Sequence, residues 1–181
     1  CAFTSLICSS DGSYRCSFRA APGRDLPGGK LRIMGSDNGR DWSVVHAGLT
    51  QVLDDVEGDM YAGYLAELRP GELTGSFVWV DRSNPERSFV NPVTAGVLEM
   101  RNLLATSTDG GTTWHDSRVL DLGPEEGCSC TGPVFSPAPG LLAFPYETWK
   151  SYDDPGPGQH TSSVRLSRDG GRTWDERRTV A

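Results

Sequence analysis

Apolar residues in this chain come in short runs, broken every few positions by glycine, proline or small polar residues. That punctuation favours short strands and turns over helices. The runs group into three sets of four strands. The first set is read at 2–8, 14–20, 30–35 and 41–47, and the second at 60–68, 73–81, 101–107 and 113–120. The third is read at 131–136, 141–146, 162–167 and 173–180. Arg69-Pro70-Gly71-Glu72 and Pro137-Ala138-Pro139-Gly140 are natural turns between the first two strands of their sets.

A repeat coincides with the third-to-fourth strand turn of each set. Ser107-Thr108-Asp109-Gly110-Gly111-Thr112-Thr113-Trp114 and Ser167-Arg168-Asp169-Gly170-Gly171-Arg172-Thr173-Trp174 share S-x-D-G-G-x-T-W. Ser36-Asp37-Asn38-Gly39-Arg40-Asp41-Trp42 is one residue shorter, which leaves Gly35 as an alternative occupant of its serine slot. With Asp37 taken as the first aspartate, the aspartates at 37, 109 and 169 are 72 and 60 residues apart. Each part has a physical job. The aspartate accepts hydrogen bonds from amides of the following turn, glycine supplies positive φ, and tryptophan buries a large ring against the sheet.

This pattern resembles the Asp-box, or bacterial neuraminidase repeat, and on it the chain resembles the sialidase superfamily. The boxes and their flanking strands cover nearly the whole sequence. The resemblance implies an all-β, sialidase-like β-propeller of four-stranded blades. Three blades cannot close a ring, so the chain is expected to be a fragment, about half of a six-bladed ring. The blades are placed at about 1–48, 59–121 and 128–181, and the remaining blades come from the full-length chain. A WD-type propeller is a poor fit, because its period is about 40–45 residues. The box serves structure in sialidases, xyloglucanases, sortilin-type receptors and photosystem assembly factors alike. Asp37, Trp42, Asp109, Gly111, Trp114, Asp169, Gly171 and Trp174 are therefore expected to be turn-building residues.

Strand parity then selects a functional end. Antiparallel order puts the box turns and the first-to-second strand turns at one end of each blade. The long segments 21–29, 82–100 and 147–161, with the linkers 48–59 and 121–130, gather at the other. Long loops on one end of a rigid scaffold are where binding and chemistry concentrate.

The superfamily holds a sugar carboxylate with arginines and cleaves with an aspartate acid/base and a Tyr-Glu nucleophile pair. The stretch Ser17-Phe18-Arg19-Ala20-Ala21-Pro22-Gly23-Arg24-Asp25 resembles the segment carrying an arginine and then the acid/base. The resemblance makes Asp25 the catalytic acid/base and Arg24 or Arg19 a carboxylate ligand, with Arg82 a further one. Glu147, in the aromatic and acidic segment 146–154, is a sugar-binding candidate, and Tyr61 could reach the central mouth. One departure stands out: the sialidase first strand carries an arginine in Phe-Arg-Ile-Pro, and 2–8 has none. No nucleophile is assigned.

Composition trims the alternatives. A net charge of -7 with no basic stripe argues against nucleic acid. No run of 18 apolar residues suggests a spanning helix. Five cysteines lacking ligand spacing, and three scattered histidines (His46, His115, His160), argue against a disulfide framework and a metal site, and no cofactor motif occurs. The sequence begins at Cys1, so it reads as an excerpt, and any leader would lie upstream. The expected activity is exo-hydrolysis of terminal acidic sugars on glycoconjugates. The rival is a non-catalytic propeller binding glycan or protein on its loop face.

Overall fold

The computed structural model describes residues 2–46, 49, 52–122, 127–158, 160–175 and 177–180. Cys1 and parts of the two linkers lie outside the described residues. The fold is all-β, and no helix forms among the described residues.

Three antiparallel meanders follow one another. The first is β1 (Ala2–Cys8), β2 (Tyr14–Ala20), β3 (Lys30–Ser36) and β4 (Ser43–His46), paired in that order. The second runs from β6 (Val56–Arg69) through β7 (Glu72–Asp81) and β8 (Met100–Ser107) to β9 (His115–Val119). Its first strand is lengthened by a small hairpin with β5 (Val52–Leu53), turned by Asp54 and Asp55 at positive φ. The third contains β11 (Phe135–Ala138), β12 (Leu141–Trp149), β13 (Thr161–Ser167) and β14 (Arg178–Thr179).

One expected strand is displaced. The run 131–136 was expected to lie beside 141–146, but β10 (Gly127–Cys130) pairs there first, facing Tyr146 to Trp149. β11 takes only the far end of β12. Asn102 is the cause: buried on β8, it donates from Nδ2 to Cys128 O (2.9 Å) and accepts from Cys130 N at Oδ1 (2.8 Å). That two-way clamp makes β10 a bridge joining the second and third meanders into one ten-stranded sheet.

The second meander is buried on both sides, which explains the unbroken apolar run on β7. Phe77 and Trp79 point toward the first meander and pack with Leu31, Ile33 and Leu65. Val78 and Val80 point toward the third and pack with Cys130, Phe144 and Tyr146. Period-two alternation thus feeds two cores rather than a core and solvent. Fully burying a side chain of this size contributes about 1.5–3 kcal/mol. Cys128 and Cys130 serve here as small buried residues.

The box turns tie each meander internally. Asp109 accepts from Ser107 Oγ (2.8 Å), Thr113 N (2.9 Å) and Thr113 Oγ1 (2.6 Å), while Gly111 N donates to Ser107 Oγ. Asp169 repeats this set with Ser167 and Thr173. The Thr113 hydroxyl and amide, then Ser107, hold Asp109 well below the usual carboxylate range, and Thr173 and Ser167 do the same for Asp169. Trp114 meets Phe77 edge-on at 5.2 Å, and Trp174 meets Phe144 at 5.7 Å. Gly110, Gly111, Gly170 and Gly171 all have positive φ.

The first box needs a correction. Asn38, not Asp37, is its turn residue. Asn38 Oδ1 accepts from Ser36 Oγ (3.3 Å), Arg40 N (2.8 Å) and Asp41 N (2.9 Å), and Gly39 N donates to Ser36 Oγ. Asp37 is exposed. Ser36 therefore fills the serine slot, and the missing residue comes out of the glycine pair, since only Gly39 keeps positive φ. Trp42 still donates to the carbonyl three residues back, as Trp114 does.

Candidate functional site

Three connections meet at the end opposite the boxes: the β2–β3 loop, the β7–β8 loop, and the end of β12. The β2–β3 loop is held from below. Arg19, near the end of β2, is 1% exposed and turns its guanidinium under the loop. It donates to Gly23 O (2.9 Å), Arg24 O (2.8 Å) and Leu26 O (2.6 Å). Asp59, on β6 and 3% exposed, receives Arg19 Nη2 (3.3 Å), Arg82 Nε (3.2 Å) and Gly29 N (3.2 Å) on Oδ2. Arg82, 9% exposed, also donates from Nη2 to Asp25 O (3.1 Å).

Above this cluster the next two side chains face outward. Arg24 is 71% exposed and folds onto its neighbour, with Nη2 at 2.8 Å from Asp25 Oδ2 and Nε at 3.0 Å from both carboxylate oxygens. Asp25 is 31% exposed and receives the Tyr61 hydroxyl on Oδ1 at 2.6 Å. Tyr61 is clasped between Phe3 (ring centroids 4.7 Å apart) and Phe89 (4.6 Å, stacked). Phe3 reaches this position through positive φ at the bulge that opens β1.

Electrostatics follow from these contacts. Burial alone would raise the Asp25 pKa, but hydrogen bonds from Arg24 and Tyr61, with the charges of Arg24 and Arg19, outweigh it and the pKa falls. Tyr61 moves the other way. Burial first, then its hydrogen bond to Asp25 and that carboxylate's charge, keep the phenol protonated far above neutral pH. In this arrangement the Tyr61 hydroxyl is a donor to the Asp25 carboxylate. Tyr64, three residues further along β6, is pushed up to about 12, chiefly by burial.

Beside Asp25 a cleft of about 400 Å³ opens, lined by Phe3, Arg24, Tyr61, Phe89, Glu147 and Trp149. A second groove of about 420 Å³, with Arg24, Asp25 and Phe89 on its wall and Arg82 at its floor, continues it. Glu147 is half-buried on β12 and contributes the acidic side of the cleft. The β7–β8 loop is braced on the third meander by Asn91 Nδ2 to Tyr152 O (2.9 Å) and by Arg87–Asp153 (2.9 Å).

Arg24, Tyr61 and Glu147 therefore line one aromatic cleft, and Asp25 stands beside it on the groove that continues it, joined to the cleft through its bond from Tyr61. Arg19 and Arg82 turn inward instead, because the buried Asp59 carboxylate and the loop carbonyls take their donors. Asp59 was missed by sequence reasoning. Its only signal was a carboxylate directly before the apolar stretch Met60-Tyr61-Ala62.

No family model matches the sequence. A curated sialidase of Micromonospora viridifaciens is 32% identical over 131 residues, covering 67% of this chain and 20% of that protein. Among solved structures, a Hadza microbial sialidase superposes with a TM-score of 0.71 at 14% identity, covering 95% of this chain and 36% of its own. An α-L-arabinofuranosidase of Fusarium graminearum, solved with arabinobiose, gives 0.57 at 15% identity, covering 94% and 45%. The chain spans about a fifth of the length of the curated relative it matches. With that sequence match and that shared fold, the chain belongs to the sialidase superfamily.

Proposed function

We propose that this chain is three blades, about 1–48, 59–121 and 128–181, of a six-bladed sialidase-like propeller. We further propose that the whole is an exo-glycosidase acting on terminal acidic sugars of glycoconjugates. The observation carrying this reading is the Arg24–Asp25–Tyr61 arrangement at the rim of an aromatic cleft. Exposed Arg24 offers a planar guanidinium to a sugar carboxylate. Asp25 is the acid/base, and Phe3, Phe89 and Trp149 give apolar walls against which a sugar ring can pack. Glu147 hydrogen-bonds sugar hydroxyls. The missing blades supply the nucleophile and further arginines.

The Arg24–Asp25 pair gives the acid/base a way to be protonated when needed. In the free site Asp25 is ionised, held so by Arg24 and Tyr61. A substrate carboxylate that recruits Arg24 removes part of what lowers the Asp25 pKa and closes off water. Burial, which raises it, then gains weight. Asp25 can then take up a proton and deliver it to the leaving oxygen, while Tyr61 keeps the carboxyl oriented.

The test is hydrolysis of a fluorogenic aryl sialoside and of a sialylated lactose by the full-length protein, beside Asp25→Asn. General acid catalysis contributes about 10²–10⁴-fold. The loss should be larger on the lactose glycoside, whose leaving group needs the proton. Equal, small losses on both would remove Asp25 from this role. The second reading is a glycan-binding propeller, favoured by the absence of arginine in 2–8 and by the inward arginines. No release from sialosides or a panel of other aryl glycosides would select it.

A further inference from the structure

We propose that Asp59, through Arg19 and Arg82, is the positioning device that sets the Asp25 loop against the cleft. The proposal rests on the reading of Asp25 as acid/base. Two guanidiniums donate to four consecutive-loop carbonyls, those of Gly23, Arg24, Asp25 and Leu26, so almost every backbone acceptor around Asp25 is fixed from beneath. Both guanidiniums share one oxygen of Asp59, which also takes Gly29 N at the far end of the loop. The carboxylate sits on β6, the same strand that presents Tyr61 two residues on, to the Asp25 side chain. One short strand segment therefore fixes both the backbone and the carboxyl of residue 25.

The arrangement is more than packing would require. Burying two arginines and one carboxylate carries a desolvation cost that apolar residues of similar volume would avoid. What the cluster adds is direction: planar donors meeting carbonyls at fixed angles, which a hydrophobic filler cannot supply. Displacing a reacting group by about 1 Å can cost on the order of 10²-fold in rate, so such direction has kinetic value. Arg19 and Asp59 line neither the cleft nor the groove, and Arg82 lines only the groove that continues the cleft past Asp25; all three act through Asp25.

The test uses the full-length protein with Arg82→Lys, which keeps the charge and can reach Asp59 or Asp25 O but not both. Asp59→Asn serves as a harsher companion that risks misfolding. For Arg82→Lys, kcat on the sialylated lactose should fall at least tenfold, with KM within about twofold. In an Asp25→Asn background the same change should cost nothing further, because the group it positions is gone. Hydrogen exchange at the amides of 23–26 should quicken in Arg82→Lys while β7 and β8 stay protected. An equal kcat loss in both backgrounds, or unchanged exchange at 23–26, would overturn the proposal. If no glycoside is turned over at all, the glycosidase reading fails by itself. The exchange arm still decides whether Arg82 anchors the loop.

Discussion

Gly29→Ala tests the geometry under the Asp25 loop most directly. A Cβ built at position 29 would lie 2.3 Å from both Nε and Nη2 of Arg19 and 2.4 Å from its Cζ. Relief to an ordinary contact requires a shift of more than 1 Å. The guanidinium has nowhere to go. It is 1% exposed and bonded to three carbonyls at 2.6–2.9 Å and to Asp59 at 3.3 Å. Moving it by 1 Å takes those bonds beyond hydrogen-bonding range. Overpacking of this kind costs about 1–3 kcal/mol, and each charge-assisted hydrogen bond lost adds about 1.5–3 kcal/mol before relaxation. A total of about 3 kcal/mol is expected once the loop relaxes. With a urea dependence of about 1–3 kcal/mol per molar, the unfolding midpoint should fall by roughly 1–3 M, measured by fluorescence on the full-length protein. Gly132→Ala is the control, since its Cβ would meet only Pro145 Cγ at 3.8 Å. It should stay within about 0.5 kcal/mol of the parent. Equal midpoints for the two variants would show that Arg19 does not sit where the loop places it.

Two further outcomes follow from the box turns. Asn38→Ala should destabilise by about 1 kcal/mol through loss of its turn hydrogen bonds, whereas Asp37→Ala should stay within about 0.5 kcal/mol; equal effects in thermal melts would restore Asp37 to the turn. Asp109 has a folded pKa below its unfolded value, so its stabilising contribution is complete above about pH 4 and is lost as pH falls through the lowered folded value. Asp109→Asn should therefore flatten the acid limb of Tm against pH while changing the neutral region less, and an unchanged acid limb would discount those hydrogen bonds.

Much of the scaffold was legible because its signals are local. Strands announced themselves by apolar runs between Gly and Pro turns, and β1 and β2 fall at the expected residues. The boxes of the second and third meanders were legible because serine, aspartate, glycine and tryptophan act within eight residues of one another. The first box misled by one position. Asp37 and Asn38 are adjacent acceptors in a shortened turn, and only the backbone path decides which one points into it. β10 was missed for a different reason: its place beside β12 is set by Asn102, 26 residues from Cys128 and 28 from Cys130.

The candidate site divides in the same way. Parity along antiparallel strands put the segments carrying Arg24, Asp25 and Glu147 at one end of the molecule from sequence alone, since each strand reverses the chain regardless of packing. Sequence also determined the all-β class and the turns that define it. Only tertiary structure decided which arginines face outward. Arg19 and Arg24 lie five residues apart with the same chemistry, yet one is 1% and the other 71% exposed. The difference is Asp59, 40 residues beyond Arg19 in the chain. A long, flexible cation takes its direction from the nearest buried anion, and that anion arrives only when β6 packs beneath the loop.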